Sequence, residues 1–346
     1  MKKLVHSPVV ARIVASILSA VLWSVCFYVM QRLSGTEGGA DAPHTKSVRA
    51  FVEKKPEGPQ PDALDAIGGY DQVKAVLVRT VVVPLRKPAV FFADVKELHP
   101  PRGVLLAGPP GTGKTTFARA CARAAGVPMM ALHARALESK WFGDTPKILS
   151  AAFDLCIREL QPCIVFFDEL DGLARRRSEL DQAASYTLKT ELLRNLDRLV
   201  ELSPPPAVVC VACTNVASGI DPAVGRRFSK HIEVPLPNAS ERRSILRVLC
   251  REDPCDAATI ADVARSSSGR SGADLLELYR EASLRRAERA PEEALENSKT
   301  AQEYRGKLGP LTRQDWGLPP PPTDGPASAS TAAPAGRRAA RSAGTT

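Results

Sequence analysis

The chain of 346 residues lacks several signatures that would each have fixed its chemistry. None of its five histidines stands in a His-Glu-x-x-His pattern, which excludes a metalloprotease site of that kind. No zinc-finger spacing, aromatic ribonucleoprotein motif or basic helix occurs. The net charge of +9 is spread along the whole chain and reads as solvated faces plus an anion-binding cavity, with no nucleic-acid partner expected. The eight cysteines do not have the spacing of a disulfide framework. Cys163, Cys210 and Cys213 fall in expected core strands, and Cys121, Cys156 and Cys250 on expected helices. Cys210 and Cys213 have the spacing of a redox pair, yet residues three apart on a strand point to opposite faces. Buried reduced thiols suit a domain that faces the cytosol.

The first third of the chain divides by composition. Ile13 to Met30 carries no charge and lies between Arg12 and Arg32. Such a run spans about 27 Å as a helix, enough to cross a bilayer core, so a transmembrane helix is expected over 13–32 after a short segment 1–12. Trp23, Phe27 and Tyr28 crowd its C-terminal half, where an interface favours aromatics. Lys2 and Lys3 also fit a signal peptide, but the small-x-small site Ala40-Asp41-Ala42 lies too far beyond the apolar run. Charge does not decide orientation, because Lys2, Lys3 and Arg12 face Arg32, Lys46 and Arg49 across the run. Residues 33–62 read as a Gly-, Pro- and charge-rich linker, with partial order around Val48–Val52. At the other end, 319–346 is too poor in large apolar residues to pack and is expected to be a disordered tail.

One loop carries the chemistry. Gly108-Pro109-Pro110-Gly111-Thr112-Gly113-Lys114-Thr115-Thr116 follows the apolar run Val104–Ala107 and precedes a helix-forming run from Phe117. This is the strand, glycine loop and helix of a P-loop. Its backbone N–H groups surround phosphates, Lys114 reaches the β- and γ-phosphates, and Thr115 is placed to ligate Mg²⁺. A second apolar run, Cys163–Phe167, ends in Asp168-Glu169-Leu170-Asp171. A carboxylate at the C-terminal end of such a buried strand stands beside the P-loop, with Asp168 on the Mg²⁺ shell and Glu169 polarising the attacking water. Bound ATP with Mg²⁺, and its hydrolysis, is the expectation.

From about Leu64 to Leu318 the chain resembles the AAA ATPases. Ile67-Gly68-Gly69-Tyr70 resembles that family's adenine loop, and Val211–Asn215 its sensor strand, which gives Asn215 a role in orienting water. Asp221–Phe228 resembles the arginine-finger segment, and the likeness points Arg226 and Arg227 into a neighbouring subunit's nucleotide. Ser271-Gly272-Ala273-Asp274-Leu275 resembles the start of the helix that closes over the base. The resemblance implies a doubly wound parallel α/β sheet over 63–237, a small helical part over 238–318, and a homo-hexamer. Asn238–Glu241 reads as a capping sequence at the start of that second part.

Within the family, the likeness leans toward the membrane-anchored extractases of mitochondria and peroxisomes. It rests on the single N-terminal anchor, on Lys140-Trp141-Phe142-Gly143-Asp144, and on Leu160-Gln161-Pro162-Cys163. In family translocases such an aromatic loop projects into the central pore and grips extended polypeptide, which casts Lys140, Trp141 and Phe142 as pore-loop residues. Arg175–Glu179 is a second, basic pore-loop candidate. The function implied is ATP-driven extraction of misplaced tail-anchored proteins from the outer mitochondrial membrane, the peroxisome or both, with the ATPase facing the cytosol. A microtubule-severing or coat-disassembly ATPase is the same-fold alternative, although 34–62 leaves no room for the helical recruitment domain such proteins carry. A non-hydrolysing nucleotide-binding scaffold is the alternative from another class, opposed by intact Lys114, Asp168, Glu169, Asn215 and the arginine pair.

The chain also departs from the family. Ala66 replaces an Asp before the adenine loop, and Phe142 stands where Tyr is usual. Asp197-Arg198 replaces an Asp-Gly pair that signals between subunits. The usual last helix runs straight into Pro319–Pro322, so a helix there is expected to be short or absent.

Overall fold

Four short apolar runs build the centre of the molecule, each alternating its side chains between two faces. The computed structural model describes residues 48–93, 99–133, 145–174, 182–290 and 308–319. The expected transmembrane helix, the aromatic segment Lys140–Phe142, the basic segment Arg175–Glu179 and the tail beyond 319 lie outside the described residues. Among the described residues, no helix is long and apolar enough to cross a membrane.

The strands are β1 (Val52–Glu53), β2 (Gly103–Ala107), β3 (Met129–His133), β4 (Cys163–Asp168), β5 (Val208–Thr214) and β6 (Lys230–Glu233). They form one sheet in the order β1-β3-β4-β5-β2-β6. The last five are parallel, as expected from their connecting helices. β1 corrects the expectation of a purely parallel sheet, because it pairs antiparallel with β3 through Val52↔Met130 and Glu53↔Met129. The partial order expected near Val48–Val52 is thus an edge strand, with Val48 fully buried beside it.

The helices needed here are α1 (Asp71–Leu77), α2 (Lys114–Ala125), α3 (Thr145–Leu155), α4 (Gln182–Glu201), α5 (Pro222–Arg227), α6 (Ala239–Leu249), α7 (Ala257–Ser266) and α8 (Gly272–Glu288). α1 runs on through a π-helical stretch, Val78–Val82. α1 and α2 cover one face of the sheet, burying Val73, Phe117 and Ala118 against Leu106, Phe166 and Val211. α3, α4 and α5 cover the other, where Leu188, Leu192, Leu196 and Leu199 of α4 form a stripe at helical spacing against Leu105, Phe167 and Ala212. Cys210 packs on this second face and Cys213 on the first, as strand geometry requires. Each fully buried large side chain stabilises the fold by about 1.5–3 kcal/mol. Burial also pushes the Cys121 thiol up to about 12, so it stays protonated and unreactive.

A third apolar cluster belongs to α6, α7 and α8 alone and includes Leu246, Ile260, Val263 and Leu275, closed by Leu311 and Trp316. Asn238 caps α6 with its side chain on the Ser240 and Glu241 N–H groups, and Glu241 returns the bond, the capping box the sequence predicts. The buried Arg242 donates to the Ala264 and Pro237 carbonyls, both at 2.8 Å, tying α6 to α7 and to the connecting chain. Arg286 and Asp253 pair at 2.7 Å with both side chains almost fully buried. Removing one partner of such a pair costs about 3–5 kcal/mol, because the other charge is left buried. After Leu311 the described chain makes turns and no helix, and Trp316 instead packs against Tyr279.

Candidate nucleotide-binding site

The C-terminal ends of β2, β4 and β5 meet where the chain leaves the sheet in opposite directions, the place where parallel α/β sheets bind ligands. From β2 the chain turns through Gly108–Gly113 into α2. Gly111 and Gly113 have φ of +77° and +87°, in the left-handed region that glycine enters freely. A Cβ on Gly108 would lie 2.1 Å from the Val234 carbonyl oxygen, so that position requires glycine for space. Thr112 steadies the loop by donating its hydroxyl to the Pro109 carbonyl at 3.0 Å.

Lys114 opens α2 and is only 7% exposed. Its ammonium donates to the Gly108 and Pro109 carbonyls at 2.8 and 2.7 Å, which curls the side chain back over the loop. Burial holds its pKa below the ordinary lysine value, opposed by Cys213, Asp168 and Asp171. Next to it, the Thr115 hydroxyl donates to Asp168 at 3.2 Å. A hydroxyl and a carboxylate so close at a loop of inward N–H groups are hard oxygen donors of the kind Mg²⁺ takes together with phosphate. The residues present therefore fit the ion. Glu169 follows in a left-handed conformation, φ +54°, with its N–H on the Asp168 carboxylate at 3.1 Å.

The base end is built from two parts of the chain. Tyr70 caps α1 at φ +58°, donates its hydroxyl to the Pro235 carbonyl at 3.0 Å, and meets Phe117 edge-on at 5.7 Å. Burial, helped by Glu241, raises this phenol to about 12. The loop before it runs under α6 so closely that a Cβ on Gly68 would fall 2.4 Å from the Ile245 Cα. On the opposite wall, the start of α8 touches the P-loop: Ala273 N–H donates to the Gly111 carbonyl at 3.0 Å.

These parts enclose one cleft of about 570 Å³. Of the residues read from the sequence, Gly68, Pro110, Gly111, Thr112, Gly113, Lys114, Thr115, Thr116, Asp168, Glu169, Asn215, Gly272 and Ala273 line it. Gly108 and Pro109 lie beneath, with their carbonyls on Lys114. The sequence reading missed Ile245, Val248, Leu249 and Leu276, an apolar lid from α6 and α8. On a sequence these are indistinguishable from the apolar stripe that buries Leu246 and Leu275.

Arg226 and Arg227 are not brought to this cleft. They stand in the last turn of α5, because Asp221 caps its start and Phe228 is the first residue past it. Arg227 forks onto Asp197 with bonds of 2.9 and 3.0 Å and also donates to the Ala223 carbonyl. Its pKa is raised by that carboxylate. Arg226 is exposed beside it, at the edge of a separate hollow shared with His99 and Val200. Arg198, at the departure from the family pattern, is paired with Asp154 at 2.6 Å.

Comparison with known proteins agrees with this geometry. The family model described as "ATPase family associated with various cellular activities (AAA)" matches residues 104–236. An outer mitochondrial transmembrane helix translocase of Danio rerio is 38% identical over 221 residues, covering 64% of this chain and 57% of that protein. The protein of that name from Homo sapiens is 36% identical over 63% of this chain and 60% of its own length. A Caenorhabditis elegans mitochondrial sorting homolog is 36% identical, covering 64% of each chain. This chain thus spans less than two thirds of the length of these curated relatives. Among solved structures, katanin in a study of its self-assembly aligns with TM-score 0.61 and 31% identity over 81% of this chain and 90% of its own. The FIGL-1 AAA domain in complex with ADP aligns with TM-score 0.64 and 27% identity over 80% of this chain.

Proposed function

This chain belongs to the AAA family of ATPases, and from that premise we propose that it hydrolyses ATP to extract proteins from a membrane. The observation that carries the hydrolytic part is the convergence of Lys114, the Thr115–Asp168 pair, Glu169 and Asn215 on one cleft. Lys114 moves from its two carbonyls to the β- and γ-phosphates, while the loop N–H groups hold the remaining oxygens. Mg²⁺, when held by Thr115 and Asp168, neutralises charge building on the phosphates. Glu169 takes a proton from the attacking water, and Asn215 orients that water toward the phosphate. The adenine lies between the Ile67–Gly68 turn and the lid side chains Ile245, Val248 and Leu249.

The extractase part rests on the relatives named outer mitochondrial transmembrane helix translocase and on the uncharged run Ile13–Met30. In this reading residues 13–32 anchor the protein in the outer mitochondrial membrane, the peroxisome or both, and the ATPase faces the cytosol. Residues 63–237 form the large part and 238–318 the small part, in keeping with their separate apolar clusters. The subunits assemble as a homo-hexamer, with Arg226 and Arg227 serving the neighbour's nucleotide and Lys140, Trp141 and Phe142 gripping the client in the pore. The test is the full chain reconstituted in liposomes with a tail-anchored reporter. ATP-dependent release, absent with Lys114→Ala, is expected; hydrolysis without any release sinks the extractase reading and leaves the ATPase intact.

The likeness to katanin favours one second reading, a microtubule-severing ATPase. Shortening of stabilised microtubules by the same preparation would replace the membrane client with tubulin.

A further inference from the structure

Thr214 is the last residue of β5, is 1% exposed, and is the one hydroxyl in a strand of Val, Cys and Ala. A hydroxyl buried there requires partners. Its oxygen accepts the Val216 N–H at 3.1 Å and lies 3.1 Å from the Asp171 carboxylate and 3.2 Å from the Val216 carbonyl. With a single proton to give, it donates to the carboxylate, since a charge-assisted bond is the stronger of the two.

Two chemistry-bearing residues are chain neighbours of this contact. Asn215 lies between Thr214 and Val216, so the hydroxyl fixes the backbone on both sides of it. Glu169 lies two residues before Asp171, and its carbonyl accepts the Gly172 N–H at 2.8 Å, so the helical turn Leu170–Ala174 starts directly from it. The β4–β5 ladder ends at Phe167↔Ala212. Beyond that pair the two chain ends carrying Glu169 and Asn215 share no ladder, and the Thr214–Asp171 contact ties them together. Neither Thr214 nor Asp171 lines the cleft, although Asp171 is close enough to act on Lys114 by charge.

We propose that Thr214 and Asp171 are a positioning pair for hydrolysis, setting the spacing between Glu169 and Asn215 and hence the place of the attacking water. The inference rests on the ATPase reading above. It is distinct from a merely structural role, in which the contact satisfies a buried hydroxyl and changes stability alone.

The experiment measures ATP turnover of the full chain in detergent, binding of a fluorescent ATP analogue, and thermal melting. Thr214→Val keeps the shape and removes the hydroxyl. It is expected to lower kcat by about 10- to 100-fold, the scale of an ångström-sized misplacement, with KM and analogue affinity within about twofold. Thr214→Ser restores kcat to within about threefold of wild type, because it restores the bond. Asp171→Ala matches Thr214→Val, and the double variant is no slower than either, since both remove one contact. If Thr214→Val does not fold, Asp171→Ala and Thr214→Ser decide. Wild-type kcat in a folded Thr214→Val or Asp171→Ala, or losses that multiply in the double variant, overturns the pair while the ATPase reading stands. A wild-type chain that binds nucleotide without turnover overturns both.

Discussion

The cleft and the arginine edge are built in opposite ways. In the cleft, a glycine loop, two strand ends and a lid from the small part converge from one chain. At the edge, α5 offers two arginines and no phosphate-binding loop, and it packs with α4 on the opposite face of the sheet from the P-loop helix. The two arginines also differ from each other: Arg227 is held by a two-pronged bond to Asp197, while Arg226 is exposed. In the proposed homo-hexamer, the cleft of one copy takes its transition-state cation from the arginine edge of the next. The difference teaches that the cleft and the arginines lie apart on one chain, with Arg227 bound to a carboxylate and Arg226 exposed.

The sharpest way to break this contrast is to remove the arginines singly. Arg226→Ala is expected to cost about 10³-fold or more in turnover, the scale of a lost arginine finger. Arg227→Ala costs less, because that guanidinium is already engaged by Asp197. Mixing Arg226→Ala with Lys114→Ala subunits should recover activity above either parent, measured as phosphate release. Co-assembled mixtures that never exceed the parents would break the divided-site model.

Within the cleft, Glu169→Gln is expected to lower turnover by about 10²-fold or more, in the range of general-base removal. ATP affinity should stay within about twofold, since Asp168 and Thr115 are untouched. Loss of affinity in parallel with turnover would make Glu169 a binding residue instead.

Trp141→Ala tests whether the energy is used elsewhere. Extraction of a tail-anchored reporter should be abolished, while basal hydrolysis falls by no more than about tenfold, because in the pore-loop reading the side chain grips client and not nucleotide. Melting accompanies the assay, since truncating a core aromatic costs about 3–5 kcal/mol and an exposed one far less.

The smallest expected effect concerns a bond inside the large part, between the start of α1 and the chain after β6. Tyr70→Phe removes the bond to Pro235 and should cost about 1 kcal/mol in urea unfolding at pH 8. The sign of its pH dependence follows from the raised phenol, about 12 against an ordinary 10. The unfolded chain loses that proton first, so wild-type stability from this group is full below pH 10 and is lost as pH rises toward 12. In Tyr70→Phe that part of the decline disappears, so the wild-type advantage shrinks above pH 10 and reverses toward pH 12. Parallel curves across pH 8–12 would show that Tyr70 is not buried as described.

Legibility in the sequence followed how local each feature is. The P-loop, the Asp168-Glu169 strand end and the Asn238 cap are contiguous runs whose backbone roles follow from residue type, and each stands where the pattern puts it. While β6 is mostly polar and buries only Ile232 of its four residues, β2, β4 and β5 were legible because their runs are apolar and buried on both faces. β1 was not, since two residues carry no period and its existence depends on the free edge of β3.

The site residues divide along the same line. Amino-acid sequence alone determined that the chain carries a phosphate loop, a metal-fitting carboxylate and a candidate base, because these lie within a few bonds of one another or at a strand end with a fixed place in a parallel sheet. Tertiary structure alone decided that Ile245, Val248 and Leu249 of α6 line the cleft, that Asp197 takes hold of Arg227 from thirty residues away, and that Thr214 ties Asp171 across the end of a ladder. Those contacts join distant segments through single side chains. No local period encodes them, and only the packing of the sheet and its helices brings the partners within bonding distance.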